Sequence, residues 1–226
     1  ICKKTDCVGC QVCANVCPKN AITMVKNEEG FLYPKIDLKK CINCGLCRKK
    51  CCRNIENIQQ TKALECYAAK SKEKDILQSS SSGGVFYYLA KEILTHQGIV
   101  YGATISSLKV RHIRINEVTD IKKIQGSKYS QSNLKDIFPK VKTDLEENKK
   151  VLFSGTPCQI LALKTYLAKE YPKLYTVSVI CHGVINDNIV EKRVKEIEKN
   201  FETEIEEINF KEEVKEGKFT GKVTCN

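Results

Sequence analysis

Eight cysteines in two matched runs constrain this chain more than any other feature of its sequence. The first run, at residues 7–18, has the spacing C-x2-C-x2-C-x3-C-P, and the second, at residues 41–51, repeats C-x2-C-x2-C-x3-C. Three cysteines of one run wrap a tight loop around one [4Fe–4S] cluster, and the fourth thiolate ligates the other cluster. We therefore expect two [4Fe–4S] clusters in the first quarter of the chain.

The same rule assigns each thiolate to a cluster. The first cluster takes Cys7, Cys10, Cys13 and Cys51, and the second takes Cys41, Cys44, Cys47 and Cys17. Two other uses of cysteine compete with this assignment. Zinc sites favour two C-x2-C pairs over triple runs, and disulfide frameworks belong to small secreted domains. Cys52 stands where a proline usually follows such a run, which affects the local turn rather than the ligand set.

Composition bounds the setting of these clusters. The chain has 226 residues, fourteen cysteines and a formal charge of +11. Cluster ligands must be reduced thiolates, which favours a reducing, anaerobic cytoplasm. The sequence has no apolar run of membrane-spanning length and no signal peptide, and it opens on Ile1, so we expect a few residues to be missing.

The basic charge suits an anionic cofactor or an acidic redox partner, although we expect most of the lysines to be solvated surface residues. Nucleic-acid binding is disfavoured because no basic stripe is interleaved with aromatic residues.

Periodicity predicts a series of elements around and beyond the runs. They are a hairpin or compact insertion around Asn27–Gly30, a strand at Ala63–Ala69 that buries Cys66, a helix from Val85 closed by Gly98, paired strands at Ile99–Ile105 and Val110–Val118, a helix over 134–147 interrupted near Pro139, strands at Val151–Ser154 and Leu174–Ile180, a helix at Ile189–Asn200 and a hairpin around Glu216–Gly217.

Three polar segments have both a structural and a functional interpretation. The Ser/Gly run before Val85 is either a flexible linker or, at a helix start, an anion site. The segment QGSKYSQS at 125–132 is either a surface loop or a ligand loop in which Lys128 faces phosphate or ring atoms. Thr156 begins a capping box with Gln159, which places Cys158 in the first helical turn. There the helix dipole is expected to lower the pKa of the thiol, whereas a buried structural cysteine is the alternative.

Cysteines also follow the ends of two predicted strands. Cys158 and Cys181 lie near those ends, at the edge of an open sheet where ligands bind. Together they make half of a four-thiolate site, and Cys225 is a candidate third ligand. His182 alone is more typical of a hydrogen-bonded structural histidine than of a ligand.

The chain resembles the coenzyme F-420 hydrogenase/dehydrogenase beta-subunit family with an N-terminal two-[4Fe–4S] ferredoxin domain. The resemblance covers essentially all 226 residues and depends on the two cysteine runs, SSSGGVF at 80–86, GSKYSQS at 126–132, FSGTPCQILAL at 153–163 and CHGV at 181–184. It implies an α+β protein. A ferredoxin-like two-cluster module at 1–58 is followed at 63–226 by an α/β flavin-type domain, a mixed sheet with flanking helices that is incomplete at its C-terminal end.

The family consists of flavin-dependent oxidoreductases, so the resemblance implies an FAD site in this chain. The residues carried over to it are Ser81, Ser82, Gly83, Gly84, Gly126, Ser127, Lys128, Tyr129, Gln131, Gly155 and Thr156. Cys158 and Cys181 resemble two ligands of a third [4Fe–4S] cluster, for which family members supply a further cysteine pair in a region that this chain lacks.

The function implied is electron transfer between the clusters, a flavin and a soluble hydride carrier such as coenzyme F-420, with a redox partner protein or subunit. Two alternatives stay open: a flavin-free ferredoxin-type module that docks a partner protein, and a reductase of another substrate such as sulfite or a sugar precursor. The sequence identifies no catalytic residue.

Overall fold

The computed structural model describes residues 1–55, 62–215 and 218–225. We call residues 1–55 the cluster segment, and residues 62–215 with 218–225 the sheet segment. The strands are β1 (Ile22–Lys26), β2 (Leu32–Ile36), β3 (Ile99–Ser106), β4 (Lys109–Ile115), β5 (Val151–Gly155), β6 (Leu174–Ser178), β7 (Ile205–Lys215) and β8 (Lys218–Cys225). The helices are α1 (Val12–Val16), α2 (Leu46–Lys49), α3 (Lys74–Gln78), α4 (Val85–Thr95), α5 (Ile121–Ile124), α6 (Ile137–Glu146), α7 (Pro157–Leu167) and α8 (Asp187–Phe201).

A short hairpin joins the two cysteine runs, as the sequence predicts. Strands β1 and β2 pair antiparallel, with Ile22 opposite Ile36 and Lys26 opposite Leu32. The turn between them is closed by Asn27, whose side-chain oxygen accepts a hydrogen bond from the Phe31 backbone N–H at 2.8 Å. The asparagine side chain thus supplies a hydrogen bond to the backbone of its own turn, beyond the last paired residues of the two strands.

The sheet segment is built on a mixed four-stranded sheet in the order β4-β3-β5-β6. Strand β3 pairs parallel with β5 from Ile99↔Val151 to Tyr101↔Phe153, and β5 pairs parallel with β6. Strand β4 is antiparallel to β3 at the edge. The central strands are continuous apolar runs because helices cover both of their faces. This confirms the predicted α/β arrangement with flanking helices.

Two hydrophobic cores lie on opposite faces of this sheet. On one face, Val100 and Leu152 pack against residues of α4 and α5, among them Leu94 and Ile121. On the other face, the side chains that pack together come from β3, β5, α6, α7 and the cluster segment. They include Tyr101, Phe153, Phe138, Leu163, Cys10, Val12 and Cys52. The cluster segment therefore completes one of the two cores of the sheet segment.

Gln11 connects the two segments through hydrogen bonds. Its side chain is buried, its Oε1 accepts from the Leu134 backbone N–H at 3.1 Å, and its Nε2 donates to the Ser132 carbonyl at 3.5 Å. The hairpin also contacts the start of α8, where the Lys26 ammonium lies 3.2 Å from the Asn188 side-chain oxygen. These contacts fix the position of the cysteine runs relative to the sheet.

Two predicted elements are wrong. Residues 63–69 form no strand, and Cys66 is exposed rather than buried, because the apolar run has no strand to pair with. Pro139 does not interrupt α6, because it stands in the first turn of the helix. Backbone N–H groups there have no helical acceptor, so the N–H that proline lacks costs no hydrogen bond. The predicted turn at Glu216–Gly217 lies outside the described residues, although β7 and β8 pair antiparallel on either side of it.

A third small core lies between α8 and the start of β7. Val190 and Val194 of α8 are buried against Ile205. The Asn186 side chain caps α8 by accepting from the Ile189 backbone N–H at 3.1 Å. Within the described ranges, the structure has no helix whose length and apolar character would let it cross a membrane.

Candidate redox site

Four thiols of the cluster segment lie together at the boundary with the sheet segment. We call Cys7, Cys10, Cys13 and Cys51 the inner thiol group; all but Cys7, which is half-buried, are buried. Burial, together with the neighbouring Cys10, Cys7 and Cys51, raises the pKa of Cys13 to about 12. The same neighbours appear around Cys7, whose pKa is also raised, first by burial. The structure thus brings together the four ligands that the sequence assigns to the first cluster.

Two further thiols that the sequence analysis leaves unassigned adjoin the inner thiol group. The sulfur of Cys52 lies 3.6 Å from that of Cys10, and both side chains are buried. The hydrogen bond from Cys52 lowers the pKa of Cys10 to about 7. Burial, with a hydrogen bond to Cys51, raises the pKa of Cys2 to about 12. The one signal for these residues is the cysteine count, which exceeds the ligands that two clusters require.

The remaining cysteines of the two runs line an open pocket on the far side of the cluster segment. We call Cys17, Cys41, Cys44 and Cys47 the outer thiol group; Cys44 is exposed and the other three are half-buried. The pocket is also lined by Pro18, Ile22, Ile36 and Leu46. The sequence assigns these four cysteines to the second cluster.

The chemistry of both thiol groups fits iron–sulfur clusters. In the described part of the chain, no three Cys, His, Asp or Glu side chains converge closely enough to hold a single metal ion. A zinc ion would draw four sulfurs to about 2.3 Å from one centre, whereas a cube of iron and sulfide holds them around a larger body. Several thiols in a dry site resist joint ionisation, so they need the positive charge of a metal group to become thiolates.

Cys158 lies beside the inner thiol group, at the start of α7. Thr156 forms the predicted capping box with Gln159, and the Thr156 hydroxyl lies 3.1 Å from the Cys158 sulfur. The expectation of a lowered pKa is wrong. Burial raises the pKa of Cys158, and the neighbouring Cys10 and Cys181 raise it further, because desolvation of the thiolate outweighs the helix dipole here.

The other half of the predicted third site is open to solvent. Cys181 and His182 are both exposed, and the Cys181 sulfur approaches the Gly183 carbonyl at 3.8 Å. Cys181 is close enough to contribute to the raised pKa of Cys158. The side chain of Cys225, the candidate third ligand, lies outside the described part of the structure.

Two of the segments predicted to surround a flavin meet at one end of the sheet. The Ser127 backbone N–H donates to the Ser81 hydroxyl at 2.7 Å. The Gln125 side chain donates to the hydroxyls of Ser79 and Ser80 at 2.9 and 2.8 Å. Gly126 has φ +81°, in the left-handed region that favours glycine. The Ser/Gly run is therefore held by hydrogen bonds against residues 125–127 rather than left as a free linker.

Gly83 and Gly84 shape the entry to α4. The Gly83 carbonyl accepts from the Ser71 backbone N–H at 2.7 Å, and a Cβ at Gly83 would collide with the Ala69 carbonyl oxygen. Gly84 precedes the helix with φ +80°, while Ser82 stays exposed. The close approach of two backbones explains the first glycine, and the left-handed turn explains the second.

The Lys128 ammonium is folded back on its own loop. It donates to the carbonyls of Gln125 and Gly126 at 2.6 and 3.2 Å, and burial lowers its pKa to about 8. An ammonium has three N–H donors, so one donor of Lys128 remains for a ligand.

His112, which the sequence analysis missed, joins this loop to the end of β5. Its Nδ1 lies 2.7 Å from the Ser132 hydroxyl, and its Nε2 lies 2.9 Å from the Ser154 carbonyl. The ring stacks on Phe153 at a centroid distance of 5.3 Å. Burial, aided by the charge of Lys128, lowers the pKa of His112 to about 4, so the imidazole is neutral at physiological pH.

Gln131 is turned away from the other predicted flavin residues. Its side-chain oxygen accepts from the Leu32 backbone N–H at 3.0 Å, and its amide nitrogen fills the space where Gly9 would carry a Cβ. Gln131 therefore contacts the cluster segment. Tyr129 is exposed and meets Phe210 edge-on, with a centroid distance of 6.3 Å.

Gly155 and Thr156 form the capping turn at the start of α7. The Thr156 backbone N–H donates to the Gln159 side chain at 2.9 Å, and a Cβ at Gly155 would lie 2.9 Å from the same oxygen. The tight capping turn accounts for both residues.

Comparison with known protein families decides what this arrangement belongs to. Residues 66–138 match the model of the coenzyme F420 hydrogenase/dehydrogenase beta subunit N-terminus, and residues 148–224 match its C-terminus. Residues 6–55 match the 4Fe-4S dicluster domain. The chain belongs to the coenzyme F420 hydrogenase/dehydrogenase beta-subunit family. It is therefore an iron–sulfur protein of an oxidoreductase family with an N-terminal ferredoxin domain.

Individual relatives match parts of the chain. An uncharacterized ferredoxin of Methanocaldococcus jannaschii is 33% identical over 72 residues, which are 32% of this chain and 82% of that protein. An uncharacterized polyferredoxin-like protein of the same organism is 42% identical over 53 residues, 20% of this chain and 32% of that protein. A chain of the F420-reducing [NiFe] hydrogenase complex from Methanosarcina barkeri aligns with 67% of the present chain, with a TM-score of 0.48 and 17% identity. This chain covers 57% of that chain's length.

Proposed function

We propose that this chain is an electron-transfer oxidoreductase that exchanges electrons between a partner protein and a hydride-carrying substrate such as coenzyme F420. It would do so by way of two [4Fe–4S] clusters and an FAD. The need for reduced thiolate ligands supports a reducing cytoplasm as its location. A flavin would supply the conversion between the single electrons that clusters carry and the hydride that the substrate carries.

One observation carries the proposal: the two thiol groups differ in how deeply they are buried. The outer thiol group opens to solvent, whereas the inner thiol group is buried against α7 and the core of the sheet segment. Cys158 adjoins the inner side, within electrostatic reach of Cys10. Clusters held at these positions would lie in order between the surface and the sheet segment.

The residues that we propose for the flavin lie where the Ser/Gly run meets the ligand loop. The first turn of α4, which follows Gly84, presents backbone N–H groups without helical partners, which favour a phosphate. Lys128 adds the remaining N–H donor of its ammonium. His112 holds Ser132 and Ser154 together, so it would keep this loop in position rather than contact the cofactor.

A third [4Fe–4S] cluster, with Cys158 and Cys181 as two of its ligands, remains part of the proposal. The nearness of Cys181, which contributes to the raised pKa of Cys158, supports it. Both cysteines follow neighbouring parallel strands, β5 and β6, whose carboxyl ends meet at one edge of the sheet.

The proposal is tested by extracting cofactor from protein purified without oxygen and identifying the flavin by chromatography. We expect about one FAD per chain. Absence of flavin beside abundant iron and sulfide would favour a flavin-free ferredoxin-type module. Reduced FAD that is reoxidised by sulfite or by a sugar precursor, and not by oxidised coenzyme F420, would keep the flavoprotein and replace the substrate.

A lysine pair locates the flavin within the chain. Lys128→Ala should lower FAD occupancy, because it removes the loop's ammonium. Lys122→Ala is the matched control, since Lys122 is exposed on the nearby α5. Equal FAD occupancy in the two variants would mean that residues 125–132 are a surface loop.

A further inference from the structure

A strongly basic surface surrounds the outer thiol group. Residues 38–55 include six Lys or Arg and no Asp or Glu. Lys39, Lys40, Arg48, Lys49 and Arg53 are exposed. This concentration of one sign of charge at one end of the cluster segment is more than an even spread of the chain's net charge would produce.

Most of this charge is unpaired within the protein. Among the described residues, only Lys40 of this segment forms an ion pair, with Asp37 at 3.9 Å. By contrast, the ammonium of Lys26, at the end of β1, lies within 4 Å of carboxylate oxygens of both Asp187 and Glu191. Charges left unpaired around one opening produce a positive field that extends into solvent.

Apolar side chains lie within the basic surface. Leu38 is 80% exposed and Ile42 is 57% exposed, although contact of an apolar side chain with water costs free energy. Cys44, between the basic residues in sequence, is also exposed. An apolar centre with a charged rim is the usual anatomy of a protein–protein interface.

We propose that Leu38, Lys39, Ile42, Cys44, Arg48 and Lys49 form a docking surface for an acidic one-electron carrier protein of the ferredoxin type. The proposal rests on the proposed function, because it makes the outer thiol group the entry point for electrons. Complementary charge would speed encounter and fix orientation, and the small apolar centre would suit a transient complex that releases its partner after transfer.

The test is direct binding of a strongly acidic ferredoxin, measured by calorimetry with both proteins oxidised so that no electron transfer is needed. The variant Lys39→Glu/Arg48→Glu/Lys49→Glu is compared with Lys192→Glu/Lys195→Glu/Lys199→Glu. The second variant reverses three exposed lysines on α8, so that both variants change the net charge by the same amount. Iron and sulfide content confirms that each variant retains its clusters.

We expect the first variant to weaken binding about tenfold or more, because three rim charges are removed and reversed, and the α8 variant to change it little. Raising the salt concentration should weaken the wild-type complex and narrow the difference between variants. Equal weakening by the two variants would overturn the proposal, since net charge alone would explain it. Binding of anionic phosphatidylserine vesicles, with no binding of the ferredoxin, would also overturn it.

The outcome separates this proposal from the proposed function. Ferredoxin binding that depends on the basic surface, in a protein without flavin, would leave the docking surface standing and remove the flavoprotein function. A flavin-containing protein whose ferredoxin binding ignores Lys39, Arg48 and Lys49 would do the reverse.

Discussion

At the scale of residues, the best-satisfied charge in the sheet segment is Asp144 on α6. Its carboxylate accepts from Arg114 Nε and Nη2 at 2.8 and 2.9 Å, from the Tyr101 hydroxyl at 2.6 Å and from Lys149 at 3.1 Å. Burial would raise the pKa of Asp144, but hydrogen bonds from Arg114, Tyr101 and Lys149 outweigh it and lower the pKa to about 2. This network ties β3 and β4 to α6, away from the redox site.

Asp144→Asn should therefore destabilise the protein by about 2 kcal/mol at neutral pH, measured by chemical unfolding. The lowered pKa means that the contribution of the carboxylate is present above about pH 4 and is lost as the pH falls towards 2. The difference from wild type should shrink over that range. Glu147→Gln is the control, because its ion pair with Lys149 is exposed and should contribute much less to stability. Equal destabilisation by both substitutions would contradict this account.

Cysteine substitutions test the ligand assignment residue by residue. Cys44→Ala should remove about half of the bound iron and inorganic sulfide, because the outer cluster loses a ligand. Cys66→Ala should retain all of it, since Cys66 is exposed and lies outside both runs. Colorimetric iron and sulfide analysis of anaerobically prepared protein checks both. Unchanged iron in Cys44→Ala would refute the assignment of this residue.

Residue roles were predictable where chemistry depends on spacing alone. The cysteine runs specify two ligand sets without any knowledge of the fold. The positions of Cys2, Cys52 and His112 were not predictable, because each meets its partners only through tertiary contacts. Gln131 shows the same limit: nothing in the segment QGSKYSQS indicates that its side chain faces Leu32 of the cluster segment.

At the scale of elements, local signals succeeded and isolated apolar runs failed. The capping box at Thr156 and the hairpin at Asn27 were predictable because their hydrogen bonds join residues three or four apart. The segment 63–69 has the composition of a strand but no neighbouring strand, and a strand is stable only when it is paired. Pro139 was misjudged because the start of α6 lies three residues further on than its periodicity indicates.

Gln11, the buried residue that precedes α1, hydrogen-bonds across the interface between the two segments. Gln11→Met keeps the volume of the side chain but leaves the buried Leu134 N–H without its acceptor. An unsatisfied buried donor costs about 1–3 kcal/mol, so hydrogen exchange at residues 132–134 should accelerate. Asn54→Ala is the control, because its side chain bonds within the cluster segment, to the Arg48 carbonyl. No change in exchange in Gln11→Met would show that hydrophobic contacts alone hold the interface.

At the scale of the whole molecule, the two thiol groups have different structural weight. The inner thiol group shares a core with α6, α7 and the sheet, whereas the outer thiol group faces solvent. Cluster binding is coupled to folding. Loss of the inner cluster should therefore destabilise the core of the sheet segment, whereas loss of the outer cluster should destabilise only its own surroundings in the cluster segment.

Cys13→Ser should lower the thermal midpoint of the whole chain more than Cys44→Ser, as followed by circular dichroism. The reason is that Cys13 is buried and its cluster supports the boundary with the sheet segment, while Cys44 is exposed. Iron content verifies that each variant has lost one cluster. Equal midpoints would mean that the inner thiol group does not support the core.

The most direct test of the central claim is the rate at which a reduced acidic ferredoxin bleaches the flavin absorbance of the protein, measured by stopped flow. We predict rapid bleaching in the wild type, and loss of most of that rate in Cys44→Ala, which retains its flavin but lacks the outer cluster. Equal rates in the two proteins would contradict an ordered path from the outer thiol group through the inner thiol group to the sheet segment.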